Sequence, residues 1–177
     1  MADDLTLRIL TVEDWAAWRD LRIEMLRDAP EGFHADLSEV ADWGETEWRG
    51  SIRPLPDARF GLFRNGALAG SACFLREKAI KLRHKGWMTA VYVTPELRGQ
   101  GWGRKLTRAV IDHAREHVDV LLTGASRAGA PVYKAEGFVT YGIERDASRV
   151  DGRSIDDELM AIHFDRRTGL RDARHDL

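Results

Sequence analysis

The segment best suited to chemistry is the glycine-rich run Arg98-Gly99-Gln100-Gly101-Trp102-Gly103, which Arg104 follows. It lies between an apolar segment and a segment of helical periodicity, and this predicts a loop that ends at a helix N-terminus. Such a loop can bind an anion, because the first amides of the helix lack partners within the helix and the helix dipole is positive there. The glycines would let the backbone approach a phosphate, and Arg98 and Arg104 would add charged donors. Glycines are also common in ordinary turns, so this pattern alone is weak evidence.

The run fits neither of the two most familiar phosphate-binding loops. A dinucleotide-binding fingerprint belongs to a first βαβ unit, whereas this run lies past the middle of the chain and follows predicted antiparallel strands. A Walker loop requires Gly-Lys-Ser or Gly-Lys-Thr, and neither tripeptide occurs in the sequence. A dinucleotide-binding fingerprint is therefore disfavoured, and a Walker loop is absent.

The other reactive side chains offer little. His113 and His117 have the i, i+4 spacing of metal ligands, but no third ligand lies nearby in the sequence, so no metal site is predicted. Cys73 falls on a predicted strand and is interpreted as a small core residue rather than an acyl carrier.

The elements that must position the loop follow from hydrophobic periodicity. Alternating apolar residues predict a strand over Leu5 to Leu10, and the Thr11/Asp14 pair resembles a capping box at the start of a helix over 12–28. A shorter helix is predicted around Trp43 and Trp48. Asn65-Gly66, flanked by apolar residues, predicts a β-hairpin.

The second half of the chain predicts one parallel crossover. The segments predicted there are, in order, a basic hairpin loop at 77–85, a buried strand at 87–93, a helix from the glycine loop to about 117, a strand at 118–123, a short helix at 131–136, a strand at 138–143 and a last strand at about 157–164. The strand at 87–93, its helix and the strand at 118–123 form a βαβ unit. The sequence therefore predicts a mixed α/β sheet.

Composition excludes several classes of protein. The chain has 177 residues, with 27 Lys plus Arg against 29 Asp plus Glu, a formal net charge of −2, and hydrophobic residues at 44%. It therefore has no overall basic field for nucleic acid or for an anionic membrane, and it is not disordered. A single cysteine cannot form an internal disulfide, and the sequence shows neither a signal peptide nor a membrane span, so a cytoplasmic location is expected.

Two segments together resemble a known family. Val91-Tyr92-Val93-Thr94-Pro95-Glu96-Leu97 with the glycine loop up to Gly103 is similar to the strand and pyrophosphate loop of the GNAT N-acetyltransferases. Ala130-Pro131-Val132-Tyr133-Lys134-Ala135-Glu136-Gly137-Phe138 resembles a second motif of that family, and residues 157–160 resemble its terminal strand. The resemblance covers about residues 5–165.

The resemblance implies the GNAT fold, an α/β fold with a mixed, mostly antiparallel central sheet of about seven strands, a splayed parallel pair and about four helices. It implies a single N-acetyltransferase domain over 1–177, with a core at about 5–165 and a charged tail at 166–177. It also implies that acetyl-CoA is the cosubstrate and that a primary amine is the acceptor. The amine would attack the thioester directly, without a metal. A homodimer is left open.

Individual roles also follow from the resemblance. Backbone groups of Val91, Tyr92 and Val93 would pair with the pantetheine arm, and residues Gly99 to Arg104 would bind the pyrophosphate. Tyr133 would protonate the departing thiolate, since a phenol still carries its proton at neutral pH. Ser126 takes the place of an Asn that binds pantetheine in many relatives.

The general base is where the sequence departs from the family. No carboxylate is placed on the strand before the loop in the way that some relatives have it. The candidates are Glu24, Glu31, His34 and His84, and a chain of water molecules is an alternative to all of them. The missing base also keeps open a second class of function, a non-catalytic acyl-CoA-binding regulatory domain.

The acceptor is the least defined part. Trp43 and Trp48, with the acidic residues near them, could line a pocket for a cationic amine, although core packing is favoured for both. The basic segment Lys78 to Lys85 could instead attract an acidic acceptor or the 3′-phosphate of CoA. The two interpretations imply opposite acceptor charges.

Overall fold

One twisted, seven-stranded sheet organises residues 3–164, which are those that the computed structural model describes. The strand order is β1-β2-β3-β4-β5-β7-β6, and only the β4/β5 pair is parallel. The strands are β1 (Leu5–Ile9), β2 (Ala58–Arg64), β3 (Ala67–Arg76), β4 (Lys85–Val93), β5 (Val120–Ala125), β6 (Val139–Val150) and β7 (Arg153–His163). The helices are α1 (Trp15–Asp28), α2 (Glu45–Ser51), α3 (Trp102–His117) and α4 (Ala130–Ala135). The predicted mixed α/β fold and its parallel crossover are confirmed, whereas the predicted tail at 166–177 lies outside the described residues.

Local chemistry explains where the elements begin and turn. The carboxylate of Asp14 accepts a hydrogen bond from the Thr11 amide at 2.8 Å, and a short 3-10 turn leads from there into α1. Asn65 and Gly66 both have positive φ, as the turn of a two-residue hairpin between β2 and β3 requires. Asp151 and Gly152 do the same between β6 and β7, and these two strands extend several residues further toward the turn than the sequence predicts.

The sheet is covered on both faces by apolar clusters. On one face, α3 buries Leu106, Val110 and Ile111 against the sheet, and on the other, α1 buries residues such as Trp18, Leu21 and Met25. Trp48 is 1% exposed, so its predicted core role is confirmed. For Trp43 the prediction is wrong, because this side chain is 39% exposed and only packs edge-on against Trp48, with ring centroids 4.9 Å apart. Cys73 is also buried, as predicted.

The parallel pair separates soon after it begins. The ladder between β4 and β5 holds three residue pairs, Lys85↔Val120 to Trp87↔Leu122. Where the strands diverge, the Thr123 hydroxyl donates to the Met88 carbonyl at 3.0 Å, so a side-chain hydrogen bond replaces the backbone pairing there. Beyond it, the β5-facing edge of β4 is open to a cavity. Among residues 3–164, no helix has both the length and the apolar character to cross a bilayer.

Candidate functional site

The site lies where β4 and β5 part, and a bulge in β4 shapes it. Ser71↔Tyr92 and Cys73↔Thr89 are paired, so two residues of β4, Ala90 and Val91, face one residue of β3. Ala90 has φ 52°, a conformation that costs a non-glycine residue energy and is characteristic of functional sites. The buried Ser71 hydroxyl donates to the Ala90 carbonyl at 2.8 Å and holds the bulge. The bulge re-aims the backbone of β4 at the point where it borders the cavity.

A cavity of about 460 Å³ fills the gap between the strands. Its walls come from α1, the loop after α1, β4, β5, α4 and the β6/β7 hairpin. The lining side chains that can carry charge or move protons are Arg22, Glu31, His34, Tyr133, Glu144 and Asp157. Val91 and Ser126 also line it, so part of the predicted cofactor site and the predicted acid share one cavity.

Tyr133, the proton donor that the resemblance implies, lines the cavity. It lies on α4, is 8% exposed and packs against Phe138 with ring centroids 5.9 Å apart. Burial, together with the negative charge of Asp157, raises the pKa of its hydroxyl. Its hydroxyl makes no hydrogen bond to another described residue. The phenol is therefore held protonated at neutral pH and faces a cavity, where a ligand can meet it.

A histidine and a buried carboxylate form a hydrogen-bonded pair at the cavity. His34 Nε2 lies 2.8 Å from Asp157 Oδ2, and the His34 side chain is 65% exposed while that of Asp157 is 8% exposed. A carboxylate only accepts hydrogen bonds, so Nε2 carries the proton and Nδ1 is left as an acceptor in neutral His34. Asp157 thereby sets the tautomer and orientation of a histidine that lines the cavity.

Gly124 makes room for that carboxylate. A Cβ at this position would lie 2.8 Å from Asp157 Oδ2, closer than real contacts allow. The sequence predicts His34 as a candidate base but does not reveal Asp157 as its partner. Nothing in the local pattern marks Asp157, because it is separated from His34 by 123 residues.

The remaining candidate bases are placed differently. Glu24 accepts a hydrogen bond from the Tyr92 hydroxyl at 3.2 Å and does not line the cavity. Glu31 lines it but forms an ion pair with Arg153 at 2.9 Å. His84 is exposed at the far end of β4, before the strands part. Of the four side chains, His34 and Glu31 line the cavity, and Glu31 is engaged by an arginine, so His34 is the best-placed candidate base.

The glycine loop lies apart from this cavity, between β4 and α3. Gly99 and Gly101 have φ 74° and 83°, so the predicted glycines are required by backbone conformation. Gly101 directly precedes Trp102, the first residue of α3. The amides of Trp102, Gly103 and Arg104 belong to the first turn of this helix and have no partners within it. Gln100 donates from its side-chain amide to the Glu96 carbonyl at 2.9 Å. The loop thus presents backbone donors at a helix N-terminus, as predicted for an anion site.

The two arginines of the loop are already engaged. Arg98 donates to the Val93 carbonyl at 3.0 Å and forms a short ion pair with Asp28, which also accepts a hydrogen bond from the Tyr92 hydroxyl. Burial and the hydrogen bond to Asp28 raise the pKa of Tyr92, whose side chain points into the α1 side of the sheet. These contacts tie the loop to β4 and to the end of α1.

Glu136 anchors the second arginine. Arg104 Nε lies 2.7 Å from Glu136 Oε1, and Arg108 lies 2.6 Å from Glu136 Oε2. Burial acts to raise the pKa of Glu136, but the hydrogen bonds from the two arginines outweigh it and lower this pKa. The contacts fasten α3 to the end of α4, and so they connect the glycine loop to the helix that carries Tyr133.

The predicted histidine pair has a packing role. His113 Nε2 donates to the Pro56 carbonyl at 2.7 Å, and its ring packs near that of His117, with ring centroids 4.5 Å apart. Within residues 3–164, no group of three or more His, Cys, Asp or Glu side chains has a metal-binding arrangement.

Comparison with known proteins gives a consistent result. The sequence profile of the acetyltransferase (GNAT) family matches residues 15–138. The L-amino acid N-acyltransferase MnaT of Escherichia coli is 31% identical over 108 residues, which are 59% of this chain and 63% of that protein.

Solved structures show the same fold. The structure of yncA, a putative acetyltransferase from Salmonella typhimurium with its cofactor acetyl-CoA, has a TM-score of 0.78 at 23% identity and covers 98% of each chain. A GNAT superfamily phosphinothricin acetyltransferase from Sinorhizobium meliloti, in complex with AcCoA, has a TM-score of 0.81 at 16% identity, with 96% of this chain and 94% of that chain covered.

Proposed function

Because this chain belongs to the GNAT acetyltransferase family, we propose that it transfers the acetyl group of acetyl-CoA to a primary amine by direct attack. The observation that carries the proposal is the cavity between β4 and β5, which brings Tyr133 and the His34/Asp157 pair to the exposed edge of β4. Acetyl-CoA supplies the acetyl thioester: the nitrogen-carbon bond forms and the carbon-sulfur bond breaks. The protonated amine loses two protons; one leaves to solvent before the attack, and the other, lost after it, balances the proton that the thiol gains. The chain must therefore handle two protons.

The residues present fit the cosubstrate. The open edge of β4 at Val91 to Val93 offers backbone groups to an extended arm, and the amides from Gly99 to Arg104 offer donors to a pyrophosphate. Ser126, which lines the cavity at the start of the α4 region, is within the same gap. In this proposal Arg98 positions the loop through Val93 and Asp28, and Arg104 contributes the exposed part of its guanidinium.

His34 would take the proton of the amine. An amine of the lysine type has a pKa of about 10.4 and is protonated at neutral pH, so it must lose a proton before it attacks. The Nδ1 atom of His34 is the acceptor, and the exposed side of the ring lets the proton leave to solvent. Asp157 fixes the orientation of the ring.

Tyr133 would give the proton to the thiolate. Its hydroxyl is protonated at neutral pH, has no described partner and lines the same cavity as His34. The two proton transfers are therefore assigned to two different side chains, as in general acid-base catalysis.

The choice of amine is a further part of the proposal. The relative from Escherichia coli is named for L-amino acids, and it matches over less than two thirds of its own length. Amino acids therefore head the acceptors to be tried, before a peptide N-terminus, a polyamine and an aminoglycoside.

Thiol release from acetyl-CoA across that amine panel tests the proposal. Turnover with an amine, together with its loss in a Tyr133→Phe variant, is the expected result. The alternative function, an acyl-CoA-binding regulatory domain without catalysis, predicts binding in a calorimeter and no thiol release with any amine. The absence of both binding and turnover would overturn the two functions together.

Two expectations from the sequence stay proposals. A cytoplasmic location is supported by the single cysteine, which suits a reducing compartment. A homodimer is open, and light scattering after size exclusion measures it directly.

A further inference from the structure

Arg22 brings a positive charge to the cavity without a matching carboxylate. It lies on α1, is partly buried and lines the cavity beside Phe33. Its guanidinium lies 5.6 Å from the Phe33 ring, and Nη1 lies 3.7 Å from the Met25 sulfur. Within residues 3–164 no carboxylate comes within ion-pair distance of it, and Glu39 attracts it only from further away. Burial lowers the pKa of Arg22, which reflects the cost of holding this charge away from water.

A second buried arginine, Arg59, adds positive charge close to Arg22. Arg59 places Nη1 2.9 Å from the sulfur of Cys73, Nη2 3.1 Å from the Ser51 carbonyl and its guanidinium 3.7 Å over the Trp18 ring. Its Nε is buried and makes no hydrogen bond to a described group. Arg59 repels Arg22 electrostatically and, like it, has no carboxylate partner. Desolvated charge without a partner is costly, so an anion that enters the cavity at Arg22 would be stabilised.

The same cavity also carries acidic side chains. Asp157 and Glu144 lie on the β6/β7 hairpin, directly paired in register, and Glu31 lies on the loop after α1. His34, the side chain assigned to the amine proton, pairs with Asp157. One cavity of about 460 Å³ is therefore lined by carboxylates that suit an ammonium group and by an arginine that suits an anion.

We propose that the acceptor carries a carboxylate as well as its amine, and that Arg22 binds this carboxylate. The inference rests on the proposed function and names the acceptor class as amino carboxylates, such as free amino acids. The planar guanidinium can donate two parallel hydrogen bonds to a carboxylate, a geometry that lysine lacks. A polyamine or an aminoglycoside would instead bring further positive charge against Arg22 and Arg59. Arg22 is thus a specificity residue, separate from the groups that move protons.

The test compares each amino acid with its own amide, which keeps the amine and the side chain but loses the carboxylate. For the wild-type protein, kcat/KM with the acid is expected to exceed that with the amide by about 10-fold or more. Arg22→Gln should lower kcat/KM for the acid by about 10- to 100-fold, chiefly through KM, and leave the amide within about twofold. Arg22→Lys keeps the charge without the fork and should recover part of the loss. Arg27→Gln, at an exposed arginine of the same helix, is the matched control and should change neither.

The outcomes separate this inference from the proposed function. If amines without a carboxylate are acetylated as well as the acids by the wild-type protein, the carboxylate site is wrong while the acetyltransferase activity stands. Equal losses for acid and amide in Arg22→Gln would show a structural role and would also overturn the inference. The wild-type ratio needs no variant, so it decides even if Arg22→Gln does not fold. Failure of every amine to release thiol would overturn the proposed function itself.

Discussion

A single methyl group at Gly124 is expected to disable the His34/Asp157 pair. The Cβ of Gly124→Ala would lie 2.8 Å from Asp157 Oδ2, and ordinary van der Waals contact begins at 3.4 Å, so the carboxylate must retreat by about 0.6 Å. The same oxygen now lies 2.8 Å from His34 Nε2. A retreat of that size away from the ring stretches the hydrogen bond to about 3.4 Å, where it is weak. His34 then loses the partner that fixes its tautomer.

The expected effect is a loss of rate with a modest loss of stability. A general base contributes about 10²- to 10⁴-fold to a rate, and misorientation should remove part of this, so kcat/KM for the amine should fall about 10- to 100-fold. Overpacking of one methyl group costs about 1–3 kcal/mol, which thermal unfolding would report as a lower Tm. The assay is steady-state thiol release at saturating acetyl-CoA, with acetyl-CoA affinity measured separately by calorimetry.

Gly142→Ala is the matched control, because its Cβ meets only Leu159 Cδ1, at 3.8 Å. It should keep kcat/KM within about twofold, since that contact is an ordinary one. Combining Gly124→Ala with Asp157→Ala adds a sharper criterion, because two changes that act through one contact are not additive. If the losses in kcat/KM from the two substitutions multiply in the double variant, they do not act through one contact. That result, or a Gly124→Ala variant with the wild-type rate, would contradict the role given to the His34/Asp157 pair.

Three further predictions concern the acid, the loop and the contact between α3 and α4. Tyr133→Phe should lower kcat by about 10²-fold or more while leaving Tm nearly unchanged, because the hydroxyl has no described partner to lose; steady-state kinetics and a thermal melt measure the two. Gly101→Ala forces a methyl group into φ 83°, at about 1–2 kcal/mol, and calorimetry should show weaker acetyl-CoA binding. Glu136→Gln removes the carboxylate that holds Arg104 and Arg108, and Tm should fall by about 2–4 °C for each kcal/mol lost. Since the pKa of Glu136 is lowered in the folded state, this stabilisation is present above the unfolded pKa of about 4.3 and disappears as pH falls through the folded value.

Each of these has an outcome that contradicts it. Full activity of Tyr133→Phe would remove the assignment of the general acid. Unchanged affinity in Gly101→Ala would show that the loop conformation is not needed for the cosubstrate. A difference in Tm between wild type and Glu136→Gln that grows below pH 4, rather than shrinking, would reverse the sign assigned to this carboxylate.

Much of the fold could be predicted because its determinants are local. Asn65 and Gly66 specify their hairpin by φ alone, and the period of apolar residues identifies α3 and the strands on either side of it. The lengths of β6 and β7 were less accessible, since polar residues near the turn between them continue the ladder up to Val150↔Arg153 without an apolar pattern. Backbone hydrogen bonds hold that part of the hairpin together, and they leave no hydrophobic pattern in the sequence.

The candidate site divides in the same way. The sequence by itself determined the glycine loop, with its left-handed Gly99 and Gly101, and it placed Tyr133 on a short helix, because a contiguous segment carries each of these features. Tertiary packing alone brings His34 to Asp157 and places Arg22 at the same cavity without an ion-pair partner among the described residues. The His34/Asp157 contact joins residues 123 positions apart, and it depends on the register of β7 and on the space left by Gly124. The separation of β4 from β5 creates the cavity in which they act, and it is a property of the assembled sheet rather than of either strand.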